Sequence, residues 1–600
     1  MISQILSLLL ASAALPVEAA SHRPKYNEPA PKLKLPWGTW EGKPYDEDGE
    51  TTVFKNVRFG QAPTGPLRFA APKYPEPIDD ANEIQDSAYG PKCIQAKAKA
   101  NVTYEPIGIG EENEDCLFLD VYVPTWALEE SDTEPLPVVV WIFGGAYIFG
   151  AKDAQFTLKD GTFNAYDGQG IRQAAQSNLI WVTGNYRLGA FGFLAGETME
   201  KKAQPNAGLH DQRLLLDWVQ KYIGQVKGDK DTVNVWGLSA GAGSILHHMT
   251  AYGGKKQKAP LFHRAAMWST AFQWAYDRKG ALDETFKRFA KKVNCGPSGT
   301  LDCLRKVSTA DLGEANQNEI SEQLELGLFP FGPAVDGDLV PELPANLLKQ
   351  GKHVNCSSIV MSHDFDEVTL FVAKWVKTKE DFTKFVALAF PGDKYANVRE
   401  RIEEQYPAKS FDFNQNDRMR RVLRDSTFVC NKRQIYNAFH NTSEVYTARY
   451  EIPPAQHGFD LFAIVWNSDV EIRDLLKHAF LPEWMLDVFE SIWRSLASRY
   501  HIYFAGHALS GNPNYLNSRG LQWEKTEDDG EEFTNSLRIG LQYVGNNHPL
   551  YNIGRDQQSS TENCAFWDEV AAEISKIDAK DVSSFVGFRD QSDGVASFEL

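Results

Sequence analysis

Six short apolar runs restrict what this chain can fold into. They are Val138–Phe143, Leu179–Thr183, Val233–Gly237, Ala265–Trp268, Ile359–Ser362 and Val445–Tyr450. A strand with one wet face alternates apolar and polar residues, whereas a strand covered on both faces reads as a nearly continuous apolar run. Several of the six have little polar alternation. Between them lie helical patterns, such as Gln212–Tyr222 with Leu215, Trp218, Val219 and Tyr222 at helical spacing, and the long stretch Glu483–Phe504. This alternation predicts an α/β architecture: a large, mainly parallel central sheet flanked by helices. No internal repeat and no Pro/Gly/Ser-rich linker divides the body. Residues 36–600 therefore read as one domain, preceded by a Pro- and Lys-rich, irregular segment over 20–35.

Composition narrows the partners. With 42% hydrophobic and 24% charged residues the chain is globular, and its net charge of -18 argues against nucleic acid and against anionic membrane surfaces. Residues 1–19 read as a secretory signal. Ile5 to Leu15 forms an apolar core, followed by Pro16 and small residues at Ala19 and Ala20. That core is shorter than the ~20 residues needed to span a bilayer, so a membrane anchor is the weaker reading. No integral membrane segment is expected after signal removal, and the location expected is extracellular. Secretion makes disulfides the natural state of the seven cysteines, with one left over. Cys295 and Cys303 flank a tight loop that suits a short bridge. Asn101, Asn355 and Asn441 stand in N-x-S/T sequons and are candidate glycan acceptors.

In parallel sheets, reactive groups gather on loops at the carboxyl ends of strands. Ser239 follows one run, inside Gly237-Leu238-Ser239-Ala240-Gly241, and a helix can start after it. A serine on so sharp a turn needs neighbours without Cβ atoms, because strand and helix backbones nearly touch. Asp364, Asp366 and Glu367 follow a second run, His457 a third, and Gly144-Gly145-Ala146 a fourth. Together they offer a nucleophile, an acid, a base and backbone donors. A serine hydroxyl needs a base to remove its proton, and histidine suits by its pKa. The base needs a carboxylate to fix its tautomer, and an attacked carbonyl oxygen needs preplaced N–H groups. No zinc spacing, phosphate loop or dinucleotide fingerprint is present in the sequence, and no cofactor or metal is expected. His247 and His248 sit in the body of the helix after Ser239 and read as surface or packing residues. Asp336-Gly337-Asp338 reads as a structural turn.

From about Gly38 to Val570 the chain resembles the type-B carboxylesterase/lipase family, the cholinesterase-like α/β-hydrolases, and in style the secreted fungal carboxylesterases. The segments that carry the resemblance are VRFGQAPTGPLRFAAP, NEDCLFLDVYVP, VVVWIFGGAYIFG, VTGNYRLGAFGFL, NAGLHDQRLLLDWVQKYI, GLSAGAGS, VDGDLVP, HDFDE and QHGFDLF. The resemblance implies the α/β-hydrolase fold and a Ser-His-Glu triad of Ser239, His457 and Glu367. It places oxyanion donors on Gly145, Ala146 and Ala240, and a serine supporting the catalytic histidine on Ser269. It implies bridges Cys93–Cys116, Cys295–Cys303 and Cys430–Cys564 and a structural ion pair of Arg68 with Glu114. Cys356 is then left over and reads as a buried free thiol, with a reactive one as the alternative. Three departures stand out. Leu238 occupies a place where cholinesterases and many lipases have Glu, Ala146 replaces a third glycine, and the loop from Cys93 to Cys116 has no Trp. Without that carboxylate or π face, choline esters are not expected as substrates. The loop is also short for a lipase lid, so the reading is a secreted serine esterase acting on a small-molecule or lipid ester. A lipase on longer acyl chains and an acyltransferase or lactonase on the same site are the alternatives, and a non-enzymatic adhesion-type binding protein is the reading from another class. Tyr147, Phe149, Trp274, Phe329 and Phe331 are candidates for an acyl pocket, with core packing equally open to each.

Overall fold

A computed structural model of the chain describes residues 30–97, 111–158, 161–255, 260–296, 300–466, 483–543 and 550–582. The leader expected over 1–19, Asn101, and much of the loop between Cys93 and Cys116 lie outside the described residues. In chain order the strands are β1 (Lys32–Leu35), β2 (Gly38–Glu41), β3 (Lys43–Pro44), β4 (Thr51–Arg58), β5 (Phe118–Pro124), β6 (Leu136–Ile142), β7 (Gln155–Leu158), β8 (Gly161–Asn164), β9 (Ile180–Gly184), β10 (Gly228–Leu238), β11 (Arg264–Trp268), β12 (Ser358–Ser362), β13 (Glu444–Tyr450), β14 (Phe533–Ile539) and β15 (Tyr551–Asp556).

Eleven strands make one sheet in the order β3-β4-β5-β9-β6-β10-β11-β12-β13-β14-β15. From β9 through β14 every neighbouring pair is parallel. The outer pairs are antiparallel. Each of the six apolar runs forms part of this parallel core, where helices cover both faces. The chain places β9 on one side of β6 and then crosses to put β10 on the other. Such a reversal opens a crevice at the carboxyl ends of the strands.

The sheet carries a run of tryptophans. Trp141, Trp181, Trp236 and Trp268 are all buried, and their rings lie 5.6–6.0 Å apart from strand to strand. Phe504, from the helix Glu483–Ser510, closes over Trp268 at 4.6 Å. A buried tryptophan hides about 200 Å², worth about 5 kcal/mol of gross burial at 25 cal/mol/Å², so this cluster anchors the strands that carry the site.

Two expectations need correction. The segment 20–35 is not irregular throughout, because Lys32–Leu35 pairs antiparallel with β2. Its Lys-Leu-Lys-Leu alternation puts Leu33 and Leu35 into the core and both lysines outside, a half-buried strand of period two. The helix Ala207–Tyr222 also starts five residues before the spacing predicts. Among the described residues no helix is long and apolar enough to cross a membrane.

Candidate active site

Ser239 stands between β10 and the helix Ala240–Met249, at φ 57° and ψ -124°. This is a sparsely populated conformation, held at a cost of order 1–3 kcal/mol. Hydrogen bonds on both sides fix it. The Ser239 N–H donates to Trp268 O at 2.8 Å, and Ser239 O accepts from the Gly243 N–H at 2.9 Å. The glycines are steric requirements. A Cβ on Gly241 would come within 2.0 Å of Ile142 O, and one on Gly237 within 2.7 Å of the Gly241 carbonyl carbon.

Two further strand ends meet this serine. His457 Nε2 lies 2.8 Å from Ser239 Oγ, and His457 Nδ1 lies 2.6 Å from Glu367 Oε2. Glu367 is fully buried, and its other oxygen accepts the Asp364 N–H at 2.8 Å. The carboxylate is thereby fixed at both oxygens. Phe371 and Phe428 pack edge-on against the imidazole, each with its centroid 5.1 Å away. With Nδ1–H donating to Glu367, Nε2 is left as an acceptor facing the serine hydroxyl. That arrangement can remove a proton from Oγ. The other acids of the same loop turn elsewhere. Asp366 bonds Thr369 and lies 3.6 Å from Arg420, while Asp364 accepts the Gly458 N–H at 2.8 Å.

The loop after β6 abuts the serine. A Cβ on Gly144 would come 3.1 Å from Ser239 Cβ. Gly145, Ala146 and Tyr147 then take three successive positive φ angles of 106°, 53° and 63°. The N–H groups of Gly145 and Ala146 donate to no described backbone oxygen, and the Ala240 N–H opens a helix, where such groups have no intrahelical partner. Ala146, Ser239 and Ala240 share the wall of a cavity of about 630 Å³. Tyr147, Trp274, Phe329 and Phe331 line it as well, joined by Phe272 and Phe428. Phe149 does not line it, being half-buried beyond the turn that its N–H closes onto Gly145 O. Ser269 is buried at φ 48°, but its hydroxyl has no hydrogen-bond partner and it supports neither His457 nor Glu367 directly. Phe371 and Phe428 were not anticipated. Phe371 lies four residues past Glu367, a spacing that could have marked it, whereas Phe428 sits on a π-helical turn, Arg424–Val429, that has no sequence signature.

The chain is bridged at Cys93–Cys116, Cys295–Cys303 and Cys430–Cys564. Cys356 is a buried free thiol, and burial pushes it up to about 12. Arg68 Nε donates to Glu114 at 2.7 Å in a buried pair. His247 and His248 are buried, burial lowers both, and they bond Gly243 O and Gln212 Oε1. Asp336 Oδ1 accepts the N–H groups of Asp338 and Val340 around Gly337 at φ 80°, forming a turn. Asn355 and Asn441 are exposed just before β12 and β13, at the end of the sheet opposite Ser239.

A serine on a strand–turn–helix elbow, at the carboxyl edge of a mainly parallel sheet, defines an α/β-hydrolase. The crystal structure of Aspergillus niger EstA has the same fold, with TM-score 0.69 and 25% identity over 91% of this chain and 99% of that one. A secreted lipase of Arthroderma benhamiae is 34% identical over 521 residues, covering 85% of this chain and 92% of its relative. The carboxylesterase patB of Aspergillus clavatus is 30% identical over 471 residues, or 71% and 81% of the two chains. The carboxylesterase family model matches residues 29–567, so the chain belongs to that family and is a carboxylic ester hydrolase. The family and the fold expected from the motifs are both met.

Proposed function

We propose that the chain is a secreted serine esterase working through an acyl-enzyme. Ser239 Oγ attacks the ester carbonyl while His457 Nε2 takes its proton. Glu367 holds the imidazole in the required tautomer and stabilises the imidazolium. The N–H groups of Gly145, Ala146 and Ala240 receive the developing oxyanion, each worth about 10²–10³ in rate. His457 returns the proton to the departing alkoxide. Water then attacks the acyl-Ser239 with His457 again as base. These steps need no cofactor. The observation that carries the reading is the unbroken chain of contacts from Glu367 through His457 to Ser239, at 2.6 and 2.8 Å. The three disulfides, the leader-like residues 1–19 and a relative described as secreted support an extracellular location.

The cavity favours a second reading on substrate size. A water's share of liquid volume is about 30 Å³, and a methylene is comparable. A volume of about 630 Å³ therefore far exceeds an acetyl group and accommodates a long or bulky acyl chain against aromatic walls. Hydrolysis of a nitrophenyl ester series from acetate to palmitate tests both readings, with Ser239→Ala as control. The alanine variant should lose about 10⁶ in kcat. Optimal rates on acetate would discard the long-chain reading. Undiminished turnover by the alanine variant would discard Ser239 as nucleophile.

A further inference from the structure

Three carboxyl groups lie together behind the imidazole, and Glu367 is only one of them. Asp364, Glu367 and Asp460 are each fully buried. Glu367 is satisfied by His457 Nδ1 and by the Asp364 N–H. Asp364 Oδ2 accepts the Gly458 N–H at 2.8 Å. Asp364 Oδ1 and both carboxyl oxygens of Asp460 have no well-formed hydrogen bond. The groups facing Asp460 are Asp364 and Glu367 from the loop after β12, Ser362 at the end of β12, the Leu461 N–H, Tyr450 of β13 and Tyr500 of the helix Glu483–Ser510. Asp364 faces Asp460, Glu367, Tyr450 and the N–H groups of Gly458 and Asp460. Among the described residues no Lys or Arg ranks with the leading charged neighbours of either group, and no grouping of acids here is arranged to hold a metal ion.

Three carboxylates cannot all ionise in a dry space without a cation. Glu367 is committed to the imidazole. We propose that Asp364 and Asp460 share one proton and form a carboxyl bridge that holds the loop bearing Glu367 against the loop bearing His457. The shared proton lies between Asp460 and Asp364 Oδ1, the oxygen that Gly458 does not use. Burial and the neighbouring acids push both groups well above the ordinary carboxylate range, in keeping with a retained proton. The placement gives the bridge its role. Asp364 is three residues before Glu367 and bonds it through its own N–H. Gly458 and Asp460 follow His457 directly and open the helix Phe459–Val465. The pair thus ties the two loops at a point immediately beside the 2.6 Å contact between His457 and Glu367. Asp364 and Asp460 are positioning residues that touch no substrate. This positioning role rests on the Ser239, His457 and Glu367 reading above, but the shared proton does not.

The test uses the full chain and two variants. Asp460→Asn is nearly isosteric, and its amide can donate permanently to Asp364 Oδ1. Asp460→Leu removes the bridge. An infrared difference spectrum of wild type minus Asp460→Asn at neutral pH should show the C=O band of a protonated carboxyl, shifted in D₂O. Asp460→Asn should keep kcat within about threefold, whereas Asp460→Leu should lose at least tenfold in kcat with KM nearly unchanged. A difference spectrum without that band overturns the shared proton, even if the leucine variant does not fold. A folded leucine variant with wild-type kcat overturns the positioning role. Labelling of Ser239 by a serine-directed phosphonate is measured alongside. If the wild-type serine is unlabelled, the esterase reading fails while the spectrum still decides the bridge.

Discussion

Replacing Glu367 by glutamine changes one atom and reverses the logic of the site. In the native arrangement Glu367 Oε2 accepts from His457 Nδ1 at 2.6 Å and Oε1 accepts the Asp364 N–H at 2.8 Å. An amide has one acceptor oxygen for these two places. If the oxygen stays with the Asp364 N–H, the amide N–H₂ faces Nδ1 and makes it an acceptor. The ring proton then sits on Nε2, 2.8 Å from Ser239 Oγ, where it blocks removal of the hydroxyl proton. If the amide flips, the tautomer is restored but two buried donors face each other unpaired. Each unpaired donor costs about 1–3 kcal/mol, so the flipped form is rarer by between about 30-fold and 10⁴-fold. The imidazolium also loses its anionic partner, which places the expected loss at the upper end. We expect Glu367→Gln to lower kcat by about 10³–10⁴ with KM within about threefold, as a wrong-tautomer triad does. Steady-state hydrolysis of a nitrophenyl ester measures this, with thermal unfolding to show an intact fold. Asp366→Asn is the control and should stay within about threefold of wild type, because Asp366 serves Thr369 and Arg420. A fall below tenfold in Glu367→Gln, or an equal fall in the control, would refute the argument.

Three other outcomes are expected. Removing Cys430–Cys564 frees a loop of 134 residues, against 8 for Cys295–Cys303. Loop entropy alone then predicts losses of about 5 and about 2.5 kcal/mol, so denaturant midpoints of the two double-alanine variants should differ clearly in that order. Burial raises Asp336 to about 6 from an ordinary 3.8. The folded state therefore binds more protons than the unfolded state between those values, and stability falls as pH rises through that window by on the order of 3 kcal/mol. Asp336→Asn should flatten that part of the stability profile, and an unchanged slope would assign it to other acids. Gly241→Ala drives a Cβ to 2.0 Å from Ile142 O and should cost about 1–3 kcal/mol together with most of the activity. Gly224→Ala meets nothing within 4 Å and should lie within about 0.5 kcal/mol of wild type in the same melting assay.

What the sequence disclosed follows from how locally each feature is determined. Six of the seven described parallel strands were legible because burial on two faces writes itself as an apolar run. Phe533–Ile539 and Tyr551–Asp556 were not, because β14 and β15 lie at the sheet's edge and carry polar residues such as Asn535, Arg538 and Asp556 among the apolar ones. Ser239 was legible because two glycines must flank so sharp a turn. Glu367 could not be separated from Asp364 and Asp366 by residue type, since all three are acids on one loop.

The separation comes from how the loops after β12 and β13 pair. β12 and β13 pair in parallel up to Met361 opposite Thr447. The same offset reaches Asp364 opposite Tyr450 at the end of β13, and after four extra residues on the second chain segment the pairing resumes at Asp366 opposite Gln456. The second bridge brings the next residue of each strand, Glu367 and His457, to corresponding places on the two loops. A slip of one residue along this pair would turn the carboxylate away from the imidazole, because side chains alternate with a period of two. The acid is therefore selected by long-range pairing over about 90 residues, between segments 367 and 457. Asp364 sits in the first of these bridges and Asp460 four residues beyond the second, so the carboxyl bridge between them, like the triad contact beside it, depends on the pairing of two distant loops rather than on either motif alone.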